Sequence, residues 1–134
     1  MFTLNTFKKK IISVGLIGSI TLSLPFTVFA SSYDIDYEFK YELQGSTRSF
    51  SGSNIKLTTN SSAESCDICQ SFWTASLYRD NSWPIGDDFI GEAQMSRYTS
   101  DSTDWSNVGS GNYYTKFKKA TDGIVVKGTG TIKN

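Results

Sequence analysis

The sequence contains no histidine. That removes the Ser-His-Asp and Cys-His nucleophilic arrangements, together with the commonest neutral-pH general base and metal ligand. It has two prolines, at positions 25 and 84, and no stretch of helical period beyond the first thirty residues, which points away from helical bundles and alternating α/β architectures. It also lacks a phosphate-binding loop. Gly109-Ser110-Gly111 precedes a strand-like run, whereas a phosphate loop must open a helix whose amide end faces the anion. Neither sign of charge dominates, with 13 Lys and Arg against 13 Asp and Glu. No cofactor is expected.

The first thirty residues stand apart. Lys8, Lys9 and Lys10 precede an apolar run over 11–26, and Val28-Phe29-Ala30 offers small side chains where a signal peptidase reads them. This is the pattern of a secretory signal peptide over 1–30, cleaved after Ala30. The alternative is a retained transmembrane anchor, since the apolar run approaches the length of a span. No cysteine follows it to take a lipid. The expected product is secreted and extracellular, a single domain over 31–134 with no membrane span. That part carries ten basic and thirteen acidic residues, a net charge of −3, which argues against nucleic acid as a partner.

Within 31–134 the organising stretch is 33–43. Tyr33, Ile35, Tyr37, Phe39, Tyr41 and Leu43 alternate without a break with Asp34, Asp36, Glu38, Lys40 and Glu42, as in a strand with one dry face. Polar stretches over 44–54 and 59–70 flank a short strand at 55–58. Residues 72–79 read as a strand with Trp73, Ala75 and Leu77 inward, and 80–88 as a loop. A further strand is expected in 89–98, with a bulge at Gly91. Trp105 and Val108 suggest a short strand ending at Gly109. Asp122-Gly123 between two alternating runs predicts a hairpin, with Ile124, Val126 and Ile132 inward and Gly128 and Gly130 leaving room for a bulge or a neighbouring bulky ring. The acidic first strand should pair with the lysine-rich end, most directly with the last strand. The fold class is therefore all-β, an antiparallel β-sandwich of about seven strands, either immunoglobulin-like or jelly-roll.

Cys66-Asp67-Ile68-Cys69 admits three readings. A redox site needs its first cysteine at a helix start, and a zinc site needs two further ligands that only carboxylates could supply here. A local disulfide, formed outside the cell, fits the sequence best. The loop pairs Asp87-Asp88 and Asp101 with Asp104 could present oxygen to calcium, but their spacing matches no calcium loop, and loop aspartates commonly bond their own backbone.

Aromatic side chains supply the candidate binding residues. Trp83 lies in a polar loop before Pro84, and Tyr78 and Tyr114 fall on outward faces. Exposed flat rings suit sugar rings or a protein partner; the alternative for Trp83 is a ring that folds back and caps the end of the sandwich. The sequence thus points to a small secreted binding protein rather than an enzyme, acting at the bacterial surface or in the medium on cell-wall polysaccharide or a surface protein. The alternative is an antimicrobial or toxin-like effector.

Overall fold

The computed structural model describes residues 30–134, so the signal peptide expected over 1–30 lies, but for Ala30, outside the described residues. These residues form nine strands: β1 (Ser32–Phe39), β2 (Glu42–Gln44), β3 (Arg48–Phe50), β4 (Ile55–Ala63), β5 (Phe72–Arg79), β6 (Asp88–Ser96), β7 (Ser100–Trp105), β8 (Gly111–Lys118) and β9 (Val126–Lys133). They make two antiparallel sheets. One has the order β1-β9-β4-β7; in the other, β2 and β3 lie along opposite ends of β8, followed by β5 and β6.

Nine strands replace the expected seven because the stretch 33–43 divides into β1 and β2 and one polar stretch adds β3, while another only lengthens β4. Arg48–Phe50 joins β8, and β4 runs on through Thr59 and Ser61 to Ala63, with the Thr59 and Ser61 side chains buried. The polar run Ser100–Trp105 is likewise a strand, so the strand expected at Trp105 and Val108 begins earlier and ends at Trp105. The pairing is nested: β1 with β9, β2 and β3 with β8, β4 with β7, β5 with β6. The chain resembles one long hairpin folded over on itself, with the β5–β6 loop as its tip. Within this nesting β4 also pairs with β9 and β5 with β8, which joins the strands into the two sheets of a β-sandwich.

Two expectations need correction. The stretch 33–43 is not one strand, because the chain passes from the first sheet to the second at Lys40 and Tyr41. Nor is there a hairpin at Asp122-Gly123: β8 and β9 lie in different sheets, and residues 119–125 cross between them. Ile124 consequently lies outside β9 and is only half-buried. The turn is instead fixed by the Asp122 carboxylate. It accepts from Lys119 Nζ at 2.5 Å, from the Arg97 guanidinium at 2.6 Å and from the Ile124 amide at 3.0 Å.

The first and last strands do pair. Glu38 faces Lys127 across the ladder, while Asp34 and Asp36 face Thr131 and Thr129. Lys116 and Lys118 sit on β8 of the other sheet, where they neighbour β2 and not β1: Lys118 is opposite Glu42, and Lys116 Nζ lies 3.8 Å from the Glu42 carboxylate. The Ser31 carbonyl accepts from the Asn134 amide at 3.1 Å, tying the strand ends together.

Alternation decides which side chains fill the space between the sheets. Tyr37 and Phe39 from one sheet meet Trp73 and Phe117 from the other, with the Trp73 and Phe117 rings 4.5 Å apart. The aromatic polar atoms of this core are satisfied internally: Tyr37 Oη and Ser61 Oγ share a hydrogen bond of 2.6 Å, and Trp73 Nε1 donates to the Ser96 carbonyl at 3.1 Å. Gly128 lies opposite Tyr37, and a Cβ there would meet the Tyr37 hydroxyl at 2.6 Å. This is the close ring approach that the glycine pattern allows.

Candidate functional site

The site is built at the tip of the folded hairpin, where β5 passes through residues 80–87 into β6. Asn81 organises this loop. Its Nδ2 donates to the Gly86 carbonyl at 2.9 Å and to the Asp88 carboxylate at 3.1 Å, and its own amide donates to Asp87 at 3.2 Å. A turn closes between Ser82 and Ile85, with the Ile85 amide donating to the Ser82 carbonyl at 3.0 Å. Gly86 then takes φ +85°, which a side chain would oppose. The Trp83–Pro84 peptide is cis.

This bonding turns three large apolar side chains outward within a short span of chain. Trp83 is 92% exposed, Ile85 76% and Phe89 55%. Single exposed hydrophobics are ordinary on protein surfaces; three so close in sequence, two of them on a hydrogen-bonded loop, are the informative case. From Phe89 the apolar surface continues across the outer face of the second sheet. The Phe89 and Tyr78 rings meet edge to face at 5.5 Å, and Tyr78 stacks on Tyr114 at 5.3 Å with their planes 8° apart. The row follows from register, since Tyr78 is paired with Phe89 on one side and Tyr114 on the other. It is placed by an irregularity on β6, where the register skips Ile90 beside Gly91, as the glycine there suggests.

Of the three aromatic residues singled out in the sequence, Trp83 is exposed and Tyr78 half-buried. Tyr114 departs from expectation. Its side chain leaves the outer face of β8, yet it is only 7% exposed, because the loop folds over it and its hydroxyl donates to Asp87 at 2.7 Å. Burial pushes the Tyr114 phenol up to about 12, and the hydrogen bond and negative charge of Asp87, with lesser contributions from Tyr78 and Asp80, push the same way. Tyr114 therefore anchors the loop and offers little surface of its own. Ile85 and Phe89 were missed as site residues. An aliphatic residue within a Gly- and Asp-rich loop is the signal that could have found Ile85.

Cys66 and Cys69 form a disulfide with Cα atoms 5.3 Å apart, and the described residues contain no free thiol. It closes a turn between β4 and β5, at the opposite end of β5 from Trp83. Three of the four aspartates weighed for calcium are engaged elsewhere. Asp87 and Asp88 bond Asn81 and Tyr114, while Asp101 accepts from the Ser96 and Ser102 amides, both at 2.9 Å. Among the described residues no group of three or more Asp, Glu, Cys or His is placed to hold a metal ion, and no helix is long and apolar enough to cross a membrane.

No family model and no curated protein matches this chain. Among solved structures it is similar to a periplasmic inhibitor of g-type lysozyme from Aeromonas hydrophila. The two share 11% identity and a TM-score of 0.48, over 83% of this chain and 93% of that one. At that distance the likeness carries neither a partner nor a role to this chain.

Proposed function

We propose that this is a secreted, non-catalytic binding protein that docks a protein partner through the β5–β6 loop, with Trp83 as its central anchor and Tyr78 at the edge of the contact. The observation that supports this reading is the exposure of Trp83 and Ile85 on a loop already fixed by Asn81, Gly86 and the Tyr114–Asp87 hydrogen bond, with Phe89 exposed at the start of the adjoining β6. A loop ordered before binding loses little conformational entropy on binding. Buried aromatic anchors commonly dominate interface energetics. A protein partner suits this surface better than cell-wall polysaccharide, because its exposed side chains include the aliphatic Ile85 as well as rings, and a protein pocket can enclose both.

The test is Trp83→Ala. Capture of partners from culture medium and from whole cells should fall by at least tenfold, consistent with loss of an anchor contributing about 2 kcal/mol or more, while the melting temperature stays nearly unchanged. A variant that melts several degrees lower and binds as before would place the ring in a structural role. Trp83-dependent retention on purified wall polysaccharide, with no protein captured, would transfer the reading to a sugar ligand.

A further inference from the structure

The charges around the docking loop narrow the class of partner. From Asp80 to Glu92 the chain carries four carboxylates, Asp80, Asp87, Asp88 and Glu92, and no Lys or Arg. Asp87, Asp88 and Glu92 are exposed and Asp80 is half-buried. Their hydrogen bonds come from neutral groups. The Thr47 hydroxyl donates to Asp80 at 2.6 Å, Asn81 donates to Asp87 and Asp88, and Tyr114 donates to Asp87. None of the four belongs to an ion pair among the described residues. Arg79, next in sequence to Asp80, is turned away, donating to the carbonyls of Val108 and Ser110 and to the Tyr113 hydroxyl. Lys116, the cation beside the Tyr78 ring, lies 5.3 Å from its centre and pairs with Glu42.

The docking loop and its flanks thus carry four carboxylates that no ion pair neutralises, while one cation of the outer face, Lys116, lines a cleft with Tyr78 and Glu92. We propose that the partner is a cationic protein, with an apolar pocket that takes Trp83, Ile85 and Phe89 and a Lys- or Arg-rich rim that meets Asp80, Asp87, Asp88 and Glu92. This rests on the docking reading above. Other occupants fit the charges less well. A second copy of this chain would bring identical acidic patches together across a two-fold axis. Nucleic acid and anionic membranes would be repelled, and a neutral polysaccharide would gain nothing from the four carboxylates.

The experiment uses the secreted protein, immobilised as wild type, as Trp83→Ala, and as Asp88→Asn with Glu92→Gln. The double variant leaves Asp87 bonded to Tyr114 and Asp80 to Thr47. Proteins from the medium and from cells are first divided on a cation exchanger into a basic pool and an unretained acidic pool, and each is offered to the three surfaces. Trp83-dependent binding should come from the basic pool. Raising NaCl from about 0.02 M to about 0.5 M should slow its association roughly tenfold or more. The double variant should associate about threefold more slowly, with dissociation little changed. Trp83-dependent binding that comes from the acidic pool, or that is indifferent to salt, overturns the cationic partner and leaves the docking reading standing. No Trp83-dependent binding from either pool overturns both. The salt series on wild type needs no variant, so a poorly folded double variant does not rescue the proposal.

Discussion

Replacing Asp122 with Asn should destabilise this protein more than any other single change of similar size. Arg97 and Lys119 have wholly buried side chains, and Asp122, 14% exposed, is the one carboxylate bonded to both. Arg97 Nε also donates to the Phe72 carbonyl at 3.2 Å, but its Nη1 has no partner. Without the carboxylate, two buried cations would face each other uncompensated. Removing one partner of a buried ion pair costs about 3 to 5 kcal/mol. Asn keeps one acceptor oxygen, so the lower end applies, and in a domain of this size about 3 kcal/mol lowers the melting temperature by roughly 12 °C or more. Burial by itself would raise the Asp122 carboxyl; the bonds from Lys119, Arg97 and the Ile124 amide, with the Arg97 charge, outweigh it and hold the group well below the usual carboxylate range. The folded value thus lies below the unfolded value of about 3.9. The stabilisation is fully present above the unfolded value and is lost as pH falls toward the folded one. Urea unfolding of wild type and variant should differ most above about pH 5 and converge below about pH 4. Adding Arg97→Met to the variant should return part of the loss, because it removes an uncompensated charge. A variant that melts within about 3 °C of wild type, or a gap that does not narrow in acid, would refute this account of the crossing loop.

Spectrophotometric titration of the tyrosines should show one ionising near 12, and Asp87→Asn should bring it down; because that folded value is raised, stability should fall as pH climbs from about 10 toward 12. A single tyrosine population near pH 10 would contradict the buried Tyr114–Asp87 bond. Truncation before Asp122 removes β9, which lies between β1 and β4, so the shortened chain should show no cooperative melting transition by circular dichroism. The intact mass of the secreted product should correspond to a start at Ser31, two hydrogens lighter than the reduced chain; a product retaining Met1, or one with two titratable thiols, would count against the leader or the disulfide.

What the sequence determined by itself was local. Period-two alternation identified the strands with one dry face and assigned Tyr37, Phe39, Trp73, Leu77, Phe117 and Val126 to the core, because side-chain direction in a strand depends on nothing beyond the strand. Its composition placed Trp83 in a polar loop without deciding between exposure and a ring folded back over the sandwich end, and the short spacing of Cys66 and Cys69 allowed their bond. Pairing partners were another matter. The alternation of 33–43 is unbroken in the sequence although the chain changes sheet at Lys40 and Tyr41, and there Tyr41, which alternation assigns to the dry face, is exposed. Asp122-Gly123 has the chemistry of a hairpin turn, but the buried cations of Arg97 and Lys119 claim the carboxylate and turn the chain toward the opposite sheet. The polar run Ser100–Trp105 and the Thr59 and Ser61 positions of β4 carry no hydrophobic signal. Backbone pairing recruits them, β7 along β4 and β4 along β9. Tyr114 sits on the face that alternation assigns outward, yet the β5–β6 loop covers it through Asp87. Alternation reports only which face a side chain leaves from, never what folds over that face afterwards.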